Sequence, residues 1–304
     1  MFDCIVIGGG PAGMAASVYL ARQKMNFAMF AGNLGGQVIW SSDVENYLGI
    51  HNTTGVKLVE AFNRHLDDYK KAMELHEGEN VLKVVKTVGG FSLETDRGAY
   101  PTKTVLVATG ADHRKIGVPG EDQFNMKGIS YCSTCDAPLF AGKVVHVIGG
   151  GNSAMDAALF LAKYAKEVHL LSINAELMGD EVMKKNCLAS ANIKVHFSTK
   201  TVGFAGNAML ESITLAGADG KEVVTPTEGV FIEIGLVPQS GLIDFVAKDK
   251  AGQIVVDSHN KTNVDGVWAA GDVTDVAYKQ IAVAVGEGSK AALDIIRYLQ
   301  STQT

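Results

Sequence analysis

Apolar runs that stop abruptly at glycines set the rhythm of this chain. Residues 2–7 form one such run, broken only by Asp3, and lead directly into Gly8-Gly-Gly-Pro-Ala-Gly13. A small-residue stretch that reads as a helix follows over 14–23, and a second apolar run occupies 27–30. The same design recurs at 143–148, Gly149-Gly-Gly-Asn-Ser-Ala154, 155–164 and 167–171. Short apolar runs bounded by turn residues fit strands buried on both faces, as in parallel sheets with helices between them. Three more runs, 103–110, 228–235 and 266–272, end in glycine or Gly-Asp and fit the same plan. Residues 87–101 instead alternate, with turn residues interspersed, and predict a small antiparallel sheet. The polar residues after Ile296 predict a frayed tail.

Each strand–glycine turn–helix–strand unit gives the G-x-G-x-x-G/A spacing its physical meaning. Gly8 and Gly149 permit the tight turn. Gly10 and Gly151 let backbone N–H groups approach a pyrophosphate, while Gly13 and Ala154 let helix and strand pack closely. The helix N-terminus then presents its partial positive charge to the anion. Two such units predict an α/β fold of two Rossmann-like, three-layer dinucleotide-binding domains, each with a small antiparallel β element. The length of 304 residues accommodates both.

Charge and cysteine usage narrow the chemistry. The net charge of −6, with no basic run, excludes nucleic acid as the main partner. No apolar stretch is long enough to span a membrane, and Asp3 interrupts any signal-peptide pattern, so a cytoplasmic location is expected. Of the four cysteines, Cys4 lies in an apolar run and Cys187 in a helical stretch, and both read as buried small hydrophobes. Cys132 and Cys135 stand as Cys-x-x-Cys, which means a redox pair or half of a zinc site. No second Cys-x-x-Cys exists, and His113, His146 and His169 lack ligand spacing, so the redox reading is favoured and no metal is expected.

In order along the chain come Gly8-Gly-Gly-Pro-Ala-Gly13, Gly35-Gly-Gln37, Glu45-Asn46, Ala108-Thr-Gly110, Cys132-Ser-Thr-Cys-Asp136 and Ala270-Gly-Asp-Val273. This series resembles the low-molecular-weight thioredoxin reductases. It also resembles the flavoprotein component of alkyl hydroperoxide reductase, to which 135–143, 235–238 and 278–288 are closer. The resemblance covers essentially the whole chain. It implies a discontinuous FAD domain over 1–112 and 241–304, with a pyridine-nucleotide-type domain carrying the Cys pair inserted at 113–240. It implies FAD contacts at Gly8, Gly10, Pro11, Ala12, Gly13, Gly35, Gln37, Asn46, Ala108, Thr109, Gly110, Gly271, Asp272, Lys279, Gln280 and Ile281. The second cradle, at Gly149, Gly151, Asn152, Ser153 and Ala154, is implied to hold NADH or NADPH. A homodimer is also implied.

Disulfide exchange needs an attacking thiolate and a good leaving thiol, and one Cys-x-x-Cys turn provides both. The resemblance makes Cys135 the flavin-side sulfur and Cys132 the sulfur that attacks the disulfide of a thioredoxin-like or other protein. The adjacent Asp136 is expected to manage the thiolate proton, with a helix N-cap as its competing or additional role.

One segment departs from the resemblance. NADPH-using members carry H-R-R-x-x-x-R after the second strand of the inserted domain, and NADH-using relatives carry Glu at the position of Ser172. Here the run is Ser172-Ile-Asn-Ala-Glu-Leu-Met178, with neither. Ser172 could offer a ribose only a single weak hydrogen bond. The expected donor is therefore one other than NADPH, either NADH or reduced ferredoxin. The run 27–32 likewise lacks the usual acid after its strand. The alternatives are an NADPH-dependent enzyme with non-standard phosphate contacts, and an FAD redox protein that does not turn over.

Overall fold

The computed structural model describes residues 1–41 and 44–301. The chain divides into two compact units, Met1–Asp112 with Val237–Thr304, and His113–Leu236.

In the first unit, β1 (Phe2–Ile7) leads through α1 (Pro11–Arg22) to β2 (Phe27–Ala31). After α2 (Gly55–Asp67) come β3 (Glu74–Glu77), β4 (Val81–Thr87), β5 (Gly90–Thr95) and β6 (Ala99–Val107). The sheet order is β3-β2-β1-β6-β5-β4. β6 does two jobs. Its first half, Ala99–Thr102, pairs antiparallel with β5, forming with β4 the small antiparallel element. Its second half pairs parallel with β1 on one side and with β17 (Val267–Ala269) on the other. The last Gly-Asp run therefore completes the first sheet.

Alternation along β1 shows why this sheet is central. Cys4 and Val6 join the cluster built on α1 and on α7 (Ile281–Ser301), while Ile5 and Ile7 join a cluster on the opposite face with Phe30, Val105 and Val267. Small residues let the two helices meet closely: a Cβ on Gly288 would lie 2.0 Å from the Ala12 carbonyl oxygen. Helix α7 also corrects the expected frayed tail. It continues to Ser301 because Leu299 is buried in the α1/α7 cluster.

Past β7 (Ala111–His113), the second unit contains α3 (Glu121–Phe124), β8 (Ile129–Ser130) and α4 (Ser133–Asp136). Then come β9 (Val144–Ile148), α5 (Asn152–Leu161), β10 (Glu167–Leu171), α6 (Glu181–Ala189) and β11 (Ile193–His196). β12 (Lys200–Gly206), β13 (Leu210–Ala216) and β14 (Glu222–Pro226) form an antiparallel sheet before β15 (Gly229–Ile232). The main sheet is β11-β10-β9-β15-β8, all parallel. α5 and α6 pack on one face, with Met155, Leu161 and Cys187 buried there, and the antiparallel sheet packs on the other through Phe204, Leu210 and Ile213. Three layers result.

The chain returns to the first unit through β16 (Leu236–Pro238). Gln239 already belongs there: its N–H donates to the Gly110 carbonyl at 2.9 Å and its side chain to Asp112 at 2.8 Å. The first unit resumes at Val237.

Candidate active site and dinucleotide cradles

The Cys-x-x-Cys segment sits where β8 runs out. Cys132 has extended backbone and occupies the N-cap of α4, so Cys135 follows one turn later with a Cα–Cα separation of 5.3 Å, and the two form a disulfide. The turn is closed by the Cys135 and Asp136 N–H groups, which donate to the Cys132 carbonyl at 3.3 and 3.1 Å. A second set of bonds holds it from below. The Cys132 N–H donates to Ser130 Oγ at 3.0 Å, and Ser130 Oγ donates to Asp136 Oδ2 at 2.7 Å. Asp136 makes no side-chain cap bond to the 3-10 turn Ala137–Phe140 that follows it. The capping role is thus replaced by a link through Ser130 to the backbone of Cys132.

Glu233, at the end of β15, is a residue that the sequence did not single out. Its N–H donates to the Ile148 carbonyl at 2.9 Å. Burial pushes its carboxyl up to about 7; the Ser133 N–H and hydroxyl oppose the rise, and Asp156 adds to it. The available signal was a carboxylate set between the apolar Ile232 and Ile234 at the end of the run 228–235.

Gly149–Gly151 follow β9, which is flanked by β10 and β15, so the turn lies at the switch point of the sheet where open α/β sheets bind ligands. Gly149 has φ +144°, and a Cβ there would lie 2.4 Å from the Glu233 carbonyl oxygen. Gly151 faces open space, with only the Met178 carbonyl oxygen as near as 4.0 Å. Asn152 and Ser153 are exposed on the first turn of α5, while Ala154 is buried under it. Asn152 Oδ1 accepts from the Asp180 N–H at 2.9 Å. Ser172 is fully buried: its Oγ accepts from the Asn174 N–H at 3.2 Å and donates to the Glu176 carbonyl at 3.5 Å. The Ser172 hydroxyl is thus engaged within its own loop.

The first cradle has the same construction. Gly8 has φ +121° and passes so close to β6 that a Cβ would lie 2.1 Å from the Ala108 carbonyl oxygen. A Cβ on Gly13 would lie 2.0 Å from the Gly8 oxygen, whereas one on Gly10 would meet nothing within 4 Å. Pro11 and Ala12 open α1, with Pro11 in the position where a missing N–H costs nothing. Three segments follow the C-terminal ends of neighbouring strands: Gly8–Gly13 after β1, Ala108-Thr109-Gly110 after β6, and Gly271-Asp272 after β17. Thr109 Oγ1 donates to the Gln239 carbonyl at 2.6 Å. Gly35 packs on Val59 and leads into the 3-10 turn Gly36–Trp40 that carries Gln37. Asn46 Nδ2 donates to Gln280 Oε1 at 3.1 Å, joining segments far apart in sequence at the start of α7, where Ile281 lies.

Burial raises the Asp272 carboxyl, with Lys279 opposing and Glu287 adding to the rise; burial in turn lowers Lys279. Glu287, also not singled out in the sequence, accepts from the Gly271 N–H at 2.7 Å and fixes the turn that carries Asp272. The open space over Gly10, facing the N-terminus of α1, together with a half-buried carboxylate at a neighbouring strand end, fits a dinucleotide bound through its pyrophosphate and a polyol hydroxyl.

Residues 2–288 match the family model described as pyridine nucleotide-disulphide oxidoreductase. The chain is 40% identical over 302 residues to an NADH dehydrogenase of Bacillus subtilis, covering 98% of this chain and 58% of that protein. It is 37% identical over 314 residues to an alkyl hydroperoxide reductase component of Escherichia coli, covering 100% of this chain and 59% of that protein. The chain therefore spans a little under three fifths of the length of these curated relatives. Among solved structures, a thioredoxin reductase of Streptococcus pyogenes superposes with a TM-score of 0.93 at 31% identity, covering 99% of each chain. A ferredoxin-flavin thioredoxin reductase of Clostridium acetobutylicum superposes with a TM-score of 0.54 at 29% identity, also covering 99% of each chain. With its Cys132–Cys135 disulfide and two dinucleotide-type units, this chain belongs to the pyridine nucleotide-disulphide oxidoreductases, and its fold is that of the thioredoxin reductases.

Proposed function

We propose that this enzyme reduces a disulfide on a thioredoxin-like protein through FAD and the Cys132/Cys135 pair, drawing electrons from a donor other than NADPH. The observation that carries the reading is the Cys132–Cys135 disulfide at the head of α4, held by Ser130 and Asp136, in a chain whose other unit carries its own dinucleotide cradle.

The cradle at Gly8, Gly10 and Gly13, with Asp272 and the Asn46–Gln280 pair, is the proposed FAD site. Bound there, FAD would take up a hydride's electrons and release them to a sulfur. The protein's own groups do the rest. The N–H groups at the start of α1 bind the pyrophosphate, and Asp272 accepts from a ribityl hydroxyl. In the reduced pair, Cys132 is the attacker and Cys135 the resolving, flavin-side sulfur. Asp136 takes and returns the thiolate proton, and its bond to Ser130 keeps it beside the loop.

The donor reading rests on Ser172–Met178. No arginine stands there to pair with a 2′-phosphate, and Ser172 is buried with its hydroxyl engaged. NADH is favoured because the Gly149–Gly151 cradle is intact and open above Gly151. Reduced ferredoxin is the second reading, supported by the likeness to a ferredoxin-flavin thioredoxin reductase. Anaerobic mixing of the oxidised enzyme with NADH, NADPH or reduced ferredoxin, followed by flavin absorbance, separates them. Rapid bleaching by micromolar NADPH would overturn the donor reading. A cytoplasmic homodimer completes the proposal.

A further inference from the structure

We propose that Glu287 is a positioning residue for the cofactor: from α7 it sets the turn bearing Asp272 against the pyrophosphate-binding end of α1. This rests on the reading of the first cradle as the FAD site, with Asp272 as the acceptor for a ribityl hydroxyl. β1 and β17 do not pair with each other. β6 lies between them, so the segments that follow the two strands start about 10 Å apart. A group outside the sheet is needed to hold Gly271-Asp272 and the first turn of α1 at a fixed separation.

Helix α7 does this with two consecutive residues. Gly288 packs on α1 so closely that a Cβ there would lie 2.0 Å from the Ala12 carbonyl oxygen. The preceding Glu287 accepts from the Gly271 N–H at 2.7 Å. Gly271, at φ +79°, completes the contact: a Cβ on it would lie 3.1 Å from Ala12 Cβ and 3.6 Å from Ala284 Cβ. The rest of the turn is anchored too. The Gly271 carbonyl accepts from the Thr274 N–H at 3.0 Å and from Thr274 Oγ1 at 2.7 Å. The Thr274 carbonyl in turn accepts from Lys279 Nζ at 2.6 Å. Asp272 stands between these two anchors.

Packing alone gives no reason for an acid at this position. Glu287 is only 6% exposed, among Ala12, Gly271, Ala284 and Gly288. Burying a carboxyl there is unfavourable unless a hydrogen bond offsets it. What Glu287 supplies, and an apolar side chain does not, is an acceptor for the buried Gly271 N–H. Loss of that bond releases the turn that carries Asp272 and leaves Gly8–Gly13 untouched. The ribityl end and the pyrophosphate end of the cradle therefore respond separately to substitution of Glu287.

The test titrates the full-length apoprotein with FAD and, separately, with ADP, which shares only the adenosine and pyrophosphate of FAD, and reads both by calorimetry. In Glu287→Ala the dissociation constant for FAD rises about tenfold, the weight of one hydrogen bond, and that for ADP does not change. Glu287→Gln, whose amide oxygen accepts in the same place, holds FAD within about threefold of the wild type. Should Glu287→Ala fail to fold, Thr274→Val, which removes the hydroxyl bond to the Gly271 carbonyl, carries the test with a smaller loss for FAD and none for ADP. Equal losses for FAD and ADP mark a merely structural residue and overturn the Glu287 proposal alone. Unchanged FAD binding in Glu287→Ala, or a Gln variant as weak as the Ala variant, does the same. A folded wild type that binds no FAD overturns the FAD reading and the proposal with it.

Discussion

The Ser130 hydroxyl donates to the Asp136 carboxylate at 2.7 Å while accepting from the Cys132 N–H at 3.0 Å. A single serine thus couples the acid beside the pair to the backbone of the outer cysteine. Asp136→Asn keeps the shape of this bridge and loses the proton site. Its rate of partner reduction is expected to fall about a hundredfold, in the range of a lost general acid. Ser130→Ala is expected to cost less. Stopped-flow reduction of an oxidised thioredoxin-like protein checks both, and an unimpaired Asp136→Asn beside an inactive Cys135→Ser would remove Asp136 from the proton path.

Two glycines of the first cradle separate binding from folding. A Cβ at Gly10 enters open space, so Gly10→Ala is expected to lower FAD retention with little change in apoprotein stability. A Cβ at Gly13 collides with the Gly8 carbonyl oxygen at 2.0 Å, so Gly13→Ala is expected to cost about 2 kcal/mol or more. Flavin content after gel filtration and urea denaturation of the apoproteins provide the two readings.

His146 makes the second unit sensitive to acid. It is fully buried on β9, bonded to Thr227 at 2.9 Å, and burial lowers its pKa to about 3, with nearby His169 and His196 pushing the same way. The unfolded chain takes up a proton near the ordinary histidine value, and the folded chain does not. Stability therefore falls as pH drops from about 6.5 toward 3, with a loss of about 2 kcal/mol by pH 5. Glu233 acts with the opposite sign. Its carboxyl is raised from 4.5 to about 7, so its contribution is fully present below 4.5 and is lost as pH rises through 7. Denaturation midpoints across this range, for the wild type and His146→Asn, should show the acid slope flattened in the variant.

Cysteine labelling should follow burial. Burial pushes the Cys4 thiol up to about 12 and that of Cys187 to about 11. After mild reduction the native protein is expected to alkylate at Cys132 and Cys135 while Cys4 and Cys187 stay unmodified, as read by peptide mass spectrometry.

Apolar runs ending in glycine foretold the parallel strands because burial on both faces leaves no room for alternation: Cys4 and Val6 face one core, Ile5 and Ile7 the other. Helix starts were less legible. α1 begins at Pro11 and α5 at Asn152, each three residues ahead of the expected start, because the glycine turn feeds the helix without an intervening loop. The end of α7 was hidden because Leu299, with Tyr298 beside it, anchors the last turn on the α1/α7 cluster from an otherwise polar tail. The Cys pair and the glycines were visible as local spacing. Ser130, Glu233 and Glu287 were not: Ser130 matters only once the β8–α4 turn folds Asp136 back onto it, Glu233 only once burial acts on its carboxyl, and Glu287 only once α7 packs against the Gly271 turn.

Electron delivery from reduced flavin through the Cys pair is the central claim. It is tested most directly by reducing the FAD-loaded enzyme anaerobically with dithionite, removing the excess, and following thiol formation on an oxidised thioredoxin. Wild-type protein is expected to pass its electrons to the thioredoxin, and the Cys132→Ser and Cys135→Ser variants to retain reduced flavin and produce none. Thioredoxin reduced at the wild-type rate by either serine variant would contradict the account.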